Sequence, residues 1–319
     1  MTLKLLFILD PLAHLKSEKD TSLAIMREAS NRGHTLFVSM QHDVFLRGEV
    51  AKIKARQFTF TETSLTADYS LAETFEYFPA EFDALIMRKD PPFDNEYLYS
   101  TYLLEIAANQ GAHVYNNPSA IRSWNEKLSV TRFPQFAPEF LVTADNDLIR
   151  EFLVTHQDIV VKPLDGMGGS SIFRLGLNDP NISVILETIT NFGTRTIMAQ
   201  RYLKEILQGD KRIIVINGTP LPYALARIPK AGETRGNLAA GGTGIAQLLS
   251  ERDLEIATVV GKTLKEEGLF LVGLDVIGDS LTEINVTSPT GMVEIAKQTS
   301  CKPAQIFLEA LEAINLAAS

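Results

Sequence analysis

Residues 84–118, ALIMRKDPPFDNEYLYSTYLLEIAANQGAHVYNNP, decide the fold class. Ala84–Met87 is a short apolar run, too brief for a helix, and reads as a buried strand. A helical stretch follows from Asn95 to Gln110 and stops at Gly111. His113–Tyr115 is the next strand, closed by Asn116-Asn117-Pro118. Strand, helix and strand at this spacing form a βαβ unit, whose strands run parallel. Upstream the pattern repeats, with a strand at Leu3–Leu9, a helix from Asp20 as N-cap to about Gly33, and a strand at Thr35–Met40. The first third therefore reads as an open parallel α/β sheet, with its edge near residues 117–125.

The middle of the chain changes character. Phe140–Val142, Ile159–Lys162, Ile172–Leu175 and Thr196–Gln200 read as strands, with helices around Asp147–His156 and Ser183–Phe192. Further on come strands at Arg212–Asn217 and Tyr223–Ile228, a glycine-rich stretch, a helix at Asp253–Glu267, a hairpin at Val272–Val286 and a closing helix at Pro303–Asn315. This part reads as α+β. The expected units are residues 1–122, 123–202 and 203–319, with a glycine-rich lid at 228–244. No repeat or long linker separates them.

Composition narrows the class. The chain has 319 residues, 45% hydrophobic and 22% charged, which is ordinary for a globular protein large enough for several units. A net charge of −9 argues against a nucleic-acid partner, which needs a basic face. The apolar run Leu5–Leu9 is too short for a signal core or a membrane span, so a cytoplasmic location is expected. Cys301 is the single cysteine, which excludes an internal disulfide and a Cys-based metal site. The histidines are scattered, and no Gly-x-Ser-x-Gly elbow occurs.

Four stretches carry chemistry. The first is Lys162-Pro-Leu-Asp-Gly-Met-Gly-Gly-Ser-Ser171, directly after an apolar strand. Gly166, Gly168, Gly169 and Ser170 let backbone N–H groups turn toward a phosphate, and Lys162 supplies a cation beside them. An ordinary glycine-rich hairpin reads equally well from this stretch alone. Gly261-Lys262-Thr263 is a false phosphate-loop match, since it lies inside a helical pattern and Ile256 stands where the first glycine belongs.

The second stretch is the hairpin Val272–Val286. Glu283 and Asn285 lie two apart on a strand and so share a face. A three-residue turn at Gly278–Ser280 would set Asp275 opposite Glu283, whereas a two-residue turn would misalign it by one. Asp275, Glu283 and Asn285 are hard oxygen donors of the kind magnesium takes, with no His or Cys nearby to suggest zinc. A solvated polar face is the alternative, but Ile284 and Val286 mark the opposite side as packed. The third stretch, Arg227–Gly242, places Arg235 and Asn237 among glycines and reads as a mobile lid. The fourth is Met87–Asp94, where Arg88 at a strand's carboxyl end is placed for a substrate carboxylate or, more simply, for pairing with Asp90 or Asp94.

At these residues the sequence resembles the prokaryotic glutathione synthetase family of the ATP-grasp superfamily. The resemblance covers essentially the whole chain: the Asp10-Pro11 strand end, MRKDPPFD at 87–94, NEKL at 125–128, KPLDGMGGSSIFR at 162–174, GDKR at 209–212, ARIPKAGETRGNLAAGG at 226–242 and GLDVIGDSLTEINVTSPT at 273–290. It implies an ATP-grasp fold behind an N-terminal open parallel α/β domain, and the ATP-dependent joining of γ-glutamylcysteine to glycine. It further implies ATP between two subdomains, with Lys127 and Lys162 on its phosphates and Gln200 at the adenine edge. Asp275, Glu283 and Asn285 would hold magnesium, with manganese an alternative. Arg88, Arg212, Arg227, Arg235, Asn237 and Ser288 would serve the peptide substrate and the reacting centre. Family members are typically homotetramers. The stretch 291–300 departs from the family pattern, which leaves substrate contacts there open. Two rivals share these features: another carboxylate–amine ligase of the superfamily, without the Arg235-Gly-Asn237 lid sequence, and a nucleotide-binding module without catalysis.

Overall fold

In the computed structural model, residues 2–16, 18–61, 69–230, 236 and 241–318 are described. The N-terminal unit begins with β1 (Lys4–Leu9), α1 (Thr21–Asn31) and β2 (Thr35–Met40). Asp20 caps α1 as expected, its Oδ1 accepting from the Leu23 N–H at 2.8 Å. After β3 (Val44–Arg47), β4 (Val50–Phe60) and β5 (Tyr69–Tyr77) come β6 (Ala84–Met87), α2 (Asn95–Asn109) and β7 (Val114–Tyr115). β1 pairs in parallel with β2 and β6, and β6 pairs in parallel with β7, so the βαβ reading holds.

Strands β3–β5 extend this parallel core with an antiparallel edge that the sequence reading did not include. Their signal is present but weak. Ala51, Ile53 and Ala55 alternate inward along β4 while Lys54 and Arg56 face out. Two of those three inward residues are alanines, which carry little hydrophobic contrast.

After α3 (Pro118–Ser123) the central unit folds as β8 (Phe140–Thr143), α4 (Asn146–His156), β9 (Asp158–Pro163), β10 (Phe173–Gly176), α5 (Ile182–Ile189) and β11 (Ile197–Arg201). Its sheet runs β10-β9-β11-β8, all antiparallel. Ile149 and Leu153 of α4 and Leu186 and Ile189 of α5 pack on Ile159, Val161, Ile197 and Ala199. Period-two alternation then turns Val160 and Lys162 to the opposite face of β9, where they line a cleft.

The third unit contains β12 (Asp210–Ile216), β13 (Thr219–Ile228), β14 (Thr243–Leu248), α6 (Glu251–Glu266), β15 (Leu271–Ile277), β16 (Ser280–Asn285), α7 (Met292–Gln298) and α8 (Pro303–Ala318). Its sheet runs β14-β13-β12-β15-β16 and is antiparallel throughout. One face, with Ile213, Val215, Ala224, Val272 and Leu274, packs on Ile256, Val260 and Leu264 of α6. Ile214, Ile216 and Leu225 turn the other way, into a core shared with β1, α1 and Phe307 of α8. The C-terminal helix is therefore an outer layer of the N-terminal unit, clasped there by Arg32 to Glu312 at 3.0 Å and His34 Nε2 to Glu312 at 2.8 Å.

The false phosphate-loop match has a structural explanation. Gly261 lies in the middle of α6, where a Cβ would stand 2.4 Å from the Gly218 carbonyl oxygen. The glycine is there so that the β12–β13 turn can press against the helix.

Candidate active site

The central and third sheets face each other across a cleft of about 300 Å³. Strand register places its charges. On the cleft side of the third sheet, Asp210 lies opposite Arg227, Arg212 opposite Asp275, and Asp275 opposite Glu283. Arg212 Nε donates to Asp275 Oδ1 at 2.5 Å and Nη2 to Oδ2 at 2.9 Å, a two-pronged pair. Arg227 bonds Asp210 and also stands 2.9 Å from Asp275 Oδ2. Burial would push the Asp275 carboxyl up, but Arg212 and Arg227 outweigh it and hold it well below the usual carboxylate range. Burial pushes Asp210 up to about 7, with Arg227 opposing and Asp275 and Glu283 reinforcing.

The alignment of Asp275 with Glu283 arises differently from the expected route. Ile277 pairs with Ser280, so the turn holds two residues, Gly278 and Asp279. Register then shifts between Val276–Leu281 and Asp275–Glu283, leaving Thr282 as an extra residue in a β-bulge. The Thr282 hydroxyl donates to the Asp275 carbonyl at 3.1 Å. The bulge restores the pairing that a two-residue turn would otherwise miss. Ile284 and Val286 are buried on the far side, as expected.

Asn285 Nδ2 donates to the Gly273 carbonyl at 3.3 Å, which leaves its amide oxygen as the acceptor. Two carboxylates and an amide oxygen along one wall fit a hard divalent cation. Among the described residues no three or more His, Cys, Asp or Glu gather as a metal site, so such an ion would need further oxygens from a ligand.

From the central unit, Lys162 Nζ reaches the Thr282 carbonyl at 3.2 Å and Glu283 Oε1 at 3.5 Å. Lys127 Nζ lies 3.8 Å from the same carboxylate and 2.7 Å from the Gly166 carbonyl. Burial lowers the Lys162 pKa, with Glu283 pulling against it. Burial works against charge on Glu283, yet Lys127 and Lys162 prevail and keep its pKa low. The glycine-rich loop is a hairpin between β9 and β10, and it is also part of the cleft wall, through Gly166, Gly168, Gly169 and Ser170. Gly168 and Gly169 have φ of +62° and +78°, conformations that favour glycine. Gln200 is buried on the same wall with its Nε2 unpartnered, an amide N–H aimed at no protein acceptor.

Ser288 lines the cleft, whereas Arg88 does not: it lines a small neighbouring cavity. Arg88 pairs with neither Asp90 nor Asp94. Its Nε donates to Ser22 Oγ at 3.0 Å and its Nη2 to the Pro289 carbonyl at 2.9 Å, while Nη1 has no partner. Asp94 instead caps α2 through the Tyr97 N–H. Arg235 and Asn237 lie outside the described residues. Gly236 between them is described, and a Cβ there would stand 2.4 Å from the Arg227 carbonyl oxygen.

Among the wall residues that went unread as site residues are two half-buried acids, Glu126 and Asp210. Each sits in a short motif already quoted, NEKL and GDKR, but neither motif identifies a role from spacing alone.

Two sheets closing on a cleft of lysines, arginines and oxygen donors, with a glycine-rich hairpin over it, define an ATP-grasp ligase. Solved structures share the fold: a D-cycloserine synthetase, with TM-score 0.67 and 13% identity, covering 98% of this chain and 99% of its own, and D-alanyl-alanine synthetase A of Vibrio cholerae, with TM-score 0.57 and 12% identity, covering 99% of each. Residues 3–122 match the prokaryotic glutathione synthetase N-terminal domain, and residues 126–300 its ATP-grasp domain. Glutathione synthetase of Nitrosomonas europaea is 57% identical over 313 residues, covering 97% of this chain and 98% of that protein. That of Pseudomonas aeruginosa is 51% identical over 314 residues, covering 98% of each. The chain belongs to the prokaryotic glutathione synthetase family, and it is an ATP-dependent ligase.

Proposed function

We propose that this chain joins γ-L-glutamyl-L-cysteine to glycine, converting ATP to ADP and phosphate and releasing glutathione. The observation that carries the reading is the convergence of Lys127, Lys162, Arg212 and Arg227 with Asp275, Glu283 and Asn285 in one cleft. The cysteinyl α-carboxylate attacks the γ-phosphate to give an acyl phosphate. Glycine's amine then attacks the acyl carbon and phosphate leaves.

Such chemistry asks for positioning and charge neutralisation rather than a protein nucleophile. Lys127, Lys162 and the backbone of Gly166, Gly168, Gly169 and Ser170 hold the phosphates, and Gln200 meets the adenine edge. Asp275, Glu283 and Asn285 hold magnesium, or manganese in its place, which when bound offsets charge on the phosphates. Arg88, with its unpartnered Nη1, and Arg212, Asn237 and Ser288 receive the peptide. Arg227 and Arg235 stabilise the acyl phosphate and the tetrahedral oxyanion. The lid at 228–244 excludes water, because a wet acyl phosphate hydrolyses.

The functional units we assign are 1–122, 123–202 and 203–319. We also read the enzyme as a cytoplasmic homotetramer, which family resemblance supports and sedimentation would measure. Phosphate release is the test of the reaction, with γ-glutamylcysteine and glycine supplied separately and together. Release that needs both, with glutathione as product, upholds it. Release with other acceptor pairs, or none, overturns it.

A further inference from the structure

Beside the main cleft lies a second cavity of about 120 Å³. Pro91, Glu126, Gly166 and Thr287 line both, so the two share a wall. The rest of the side chamber is largely apolar, through Phe93, Ile121, Trp124, Leu164 and Val286. Its volume is several times that of one water and suits a small solute rather than a nucleotide.

The acids of the two cavities are mostly committed. Asp275 and Asp210 are held by arginines, and Glu283 by two lysines. Asp165, the chamber's other acid, pairs with Arg195 at 2.6 Å. Asp90 on the main cleft is exposed and likewise without an ion pair among the described residues, but it does not line the side chamber. Glu126 stands apart by lining both cavities. Its Oε1 accepts from the Thr287 hydroxyl at 2.8 Å, and its backbone carbonyl accepts from the Ile284 N–H at 2.8 Å, which anchors it to the end of β16. No arginine or lysine forms an ion pair with its carboxylate among the described residues. Burial raises its pKa, against the pull of Lys127 and Thr287. Trp124 adds a second observation: it is 1% exposed, and its Nε1 has no hydrogen-bond partner.

We propose that the side chamber admits the amino-acid co-substrate, and that Glu126, on the shared wall, binds its ammonium group and accepts the proton that must leave before nitrogen attacks. The inference rests on the ligase reading above. A zwitterion needs an anion for its ammonium and donors for its carboxylate. Glu126 meets the first need, and the unpartnered Trp124 Nε1–H is the donor on the chamber wall for the second, with Arg122, whose Nη2 is already paired with Glu105 at 2.5 Å, beside it. One ammonium proton passes to the Glu126 carboxylate. The freed lone pair forms the C–N bond, the bond from acyl carbon to phosphate oxygen breaks, and phosphate leaves with that electron pair. The amine's second proton departs with the phosphate. The close apolar walls leave little room for a side chain, so the chamber selects glycine.

The test compares two nucleophiles in E126Q, an isosteric change that keeps an acceptor for Thr287. Hydroxylamine is already an uncharged amine at neutral pH and traps the acyl phosphate as a hydroxamate. E126Q is expected to form hydroxamate from ATP and γ-glutamylcysteine within about threefold of the unmodified enzyme, while kcat/KM for glycine falls on the order of a hundredfold or more. Equal losses with both nucleophiles, or an unchanged glycine value, overturn the proposal. Failure of the unmodified enzyme to use glycine would instead overturn the ligase reading. L164F, which fills the chamber while leaving the Glu126 residue itself unchanged, keeps the question open to test if E126Q does not fold. It is expected to raise the glycine KM about tenfold with the ATP KM unchanged, and an unchanged glycine KM overturns the assignment.

Discussion

Lys162 Nζ stands 3.5 Å from Glu283 Oε1, so the cation of β9 in the central sheet meets the acidic strand of the third sheet across the cleft. Nucleotide phosphates entering there would lie against both. Lys162→Ala is expected to raise the ATP KM at least about tenfold, the loss of a charge-assisted contact. Arg235→Ala, in the proposed lid, should mainly lower kcat. Steady-state kinetics on both variants checks the division, and an equal loss of nucleotide affinity in the two would sink it.

Asp275 is 3% exposed and faces two guanidinium groups, Arg212 and Arg227. Asp275→Asn leaves both cations without their shared counter-charge. Breaking a buried pair from one side costs about 3–5 kcal/mol. Urea denaturation without nucleotide should show a loss of that size, and a loss below about 1 kcal/mol would mean the arginines re-pair or hydrate freely.

Asp210 makes stability depend on pH in a particular direction. Burial, ahead of its neighbours, sets its folded pKa at about 7 against 3.8 for the ordinary carboxyl. Between those values the folded chain keeps a proton that the unfolded chain has released. Raising pH through this window therefore removes stability. Asp210→Asn has no such proton to lose, so its melting temperature should fall less than that of the unmodified protein between about pH 5 and pH 8. Identical slopes would show that Arg227 keeps Asp210 ionised throughout.

Gly261→Ala separates helix propensity from packing. In an exposed helix the change would stabilise by about 1 kcal/mol. Here the new Cβ would meet the Gly218 carbonyl at 2.4 Å, so α6 or the β12–β13 turn must move. A net loss of about 1–3 kcal/mol is expected from overpacking. Thermal melting decides the sign.

Much of the architecture was legible locally. Ala84–Met87 and Leu3–Leu9 are apolar runs with clear ends, and Asp20 caps a helix where a carboxylate can reach the Leu23 N–H. Such signals lie within one element and need no partner. The antiparallel edge β3–β5 escaped because alanines 51 and 55 stand where larger residues would have marked the buried face. Candidate ligands were legible as residue types: Lys162 beside a glycine-rich turn, and Glu283 and Asn285 on one face of a strand.

What those residues meet was decided by long-range register. Asp275 faces Glu283 only because Thr282 bulges out, a shift of one residue that local periodicity does not encode. Arg88 finds Ser22 and the Pro289 carbonyl, 66 and 201 residues away in the chain. Glu126 becomes notable only once Thr287, 161 residues further on, fixes its carboxylate on the wall between two cavities. The chain's alternation and turn residues specify its strands, helices and available chemistry, because each depends on neighbours a few positions apart. Which charges pair, and which carboxylate is left without a cation, depends on how three sheets pack together, and only the tertiary structure settles that.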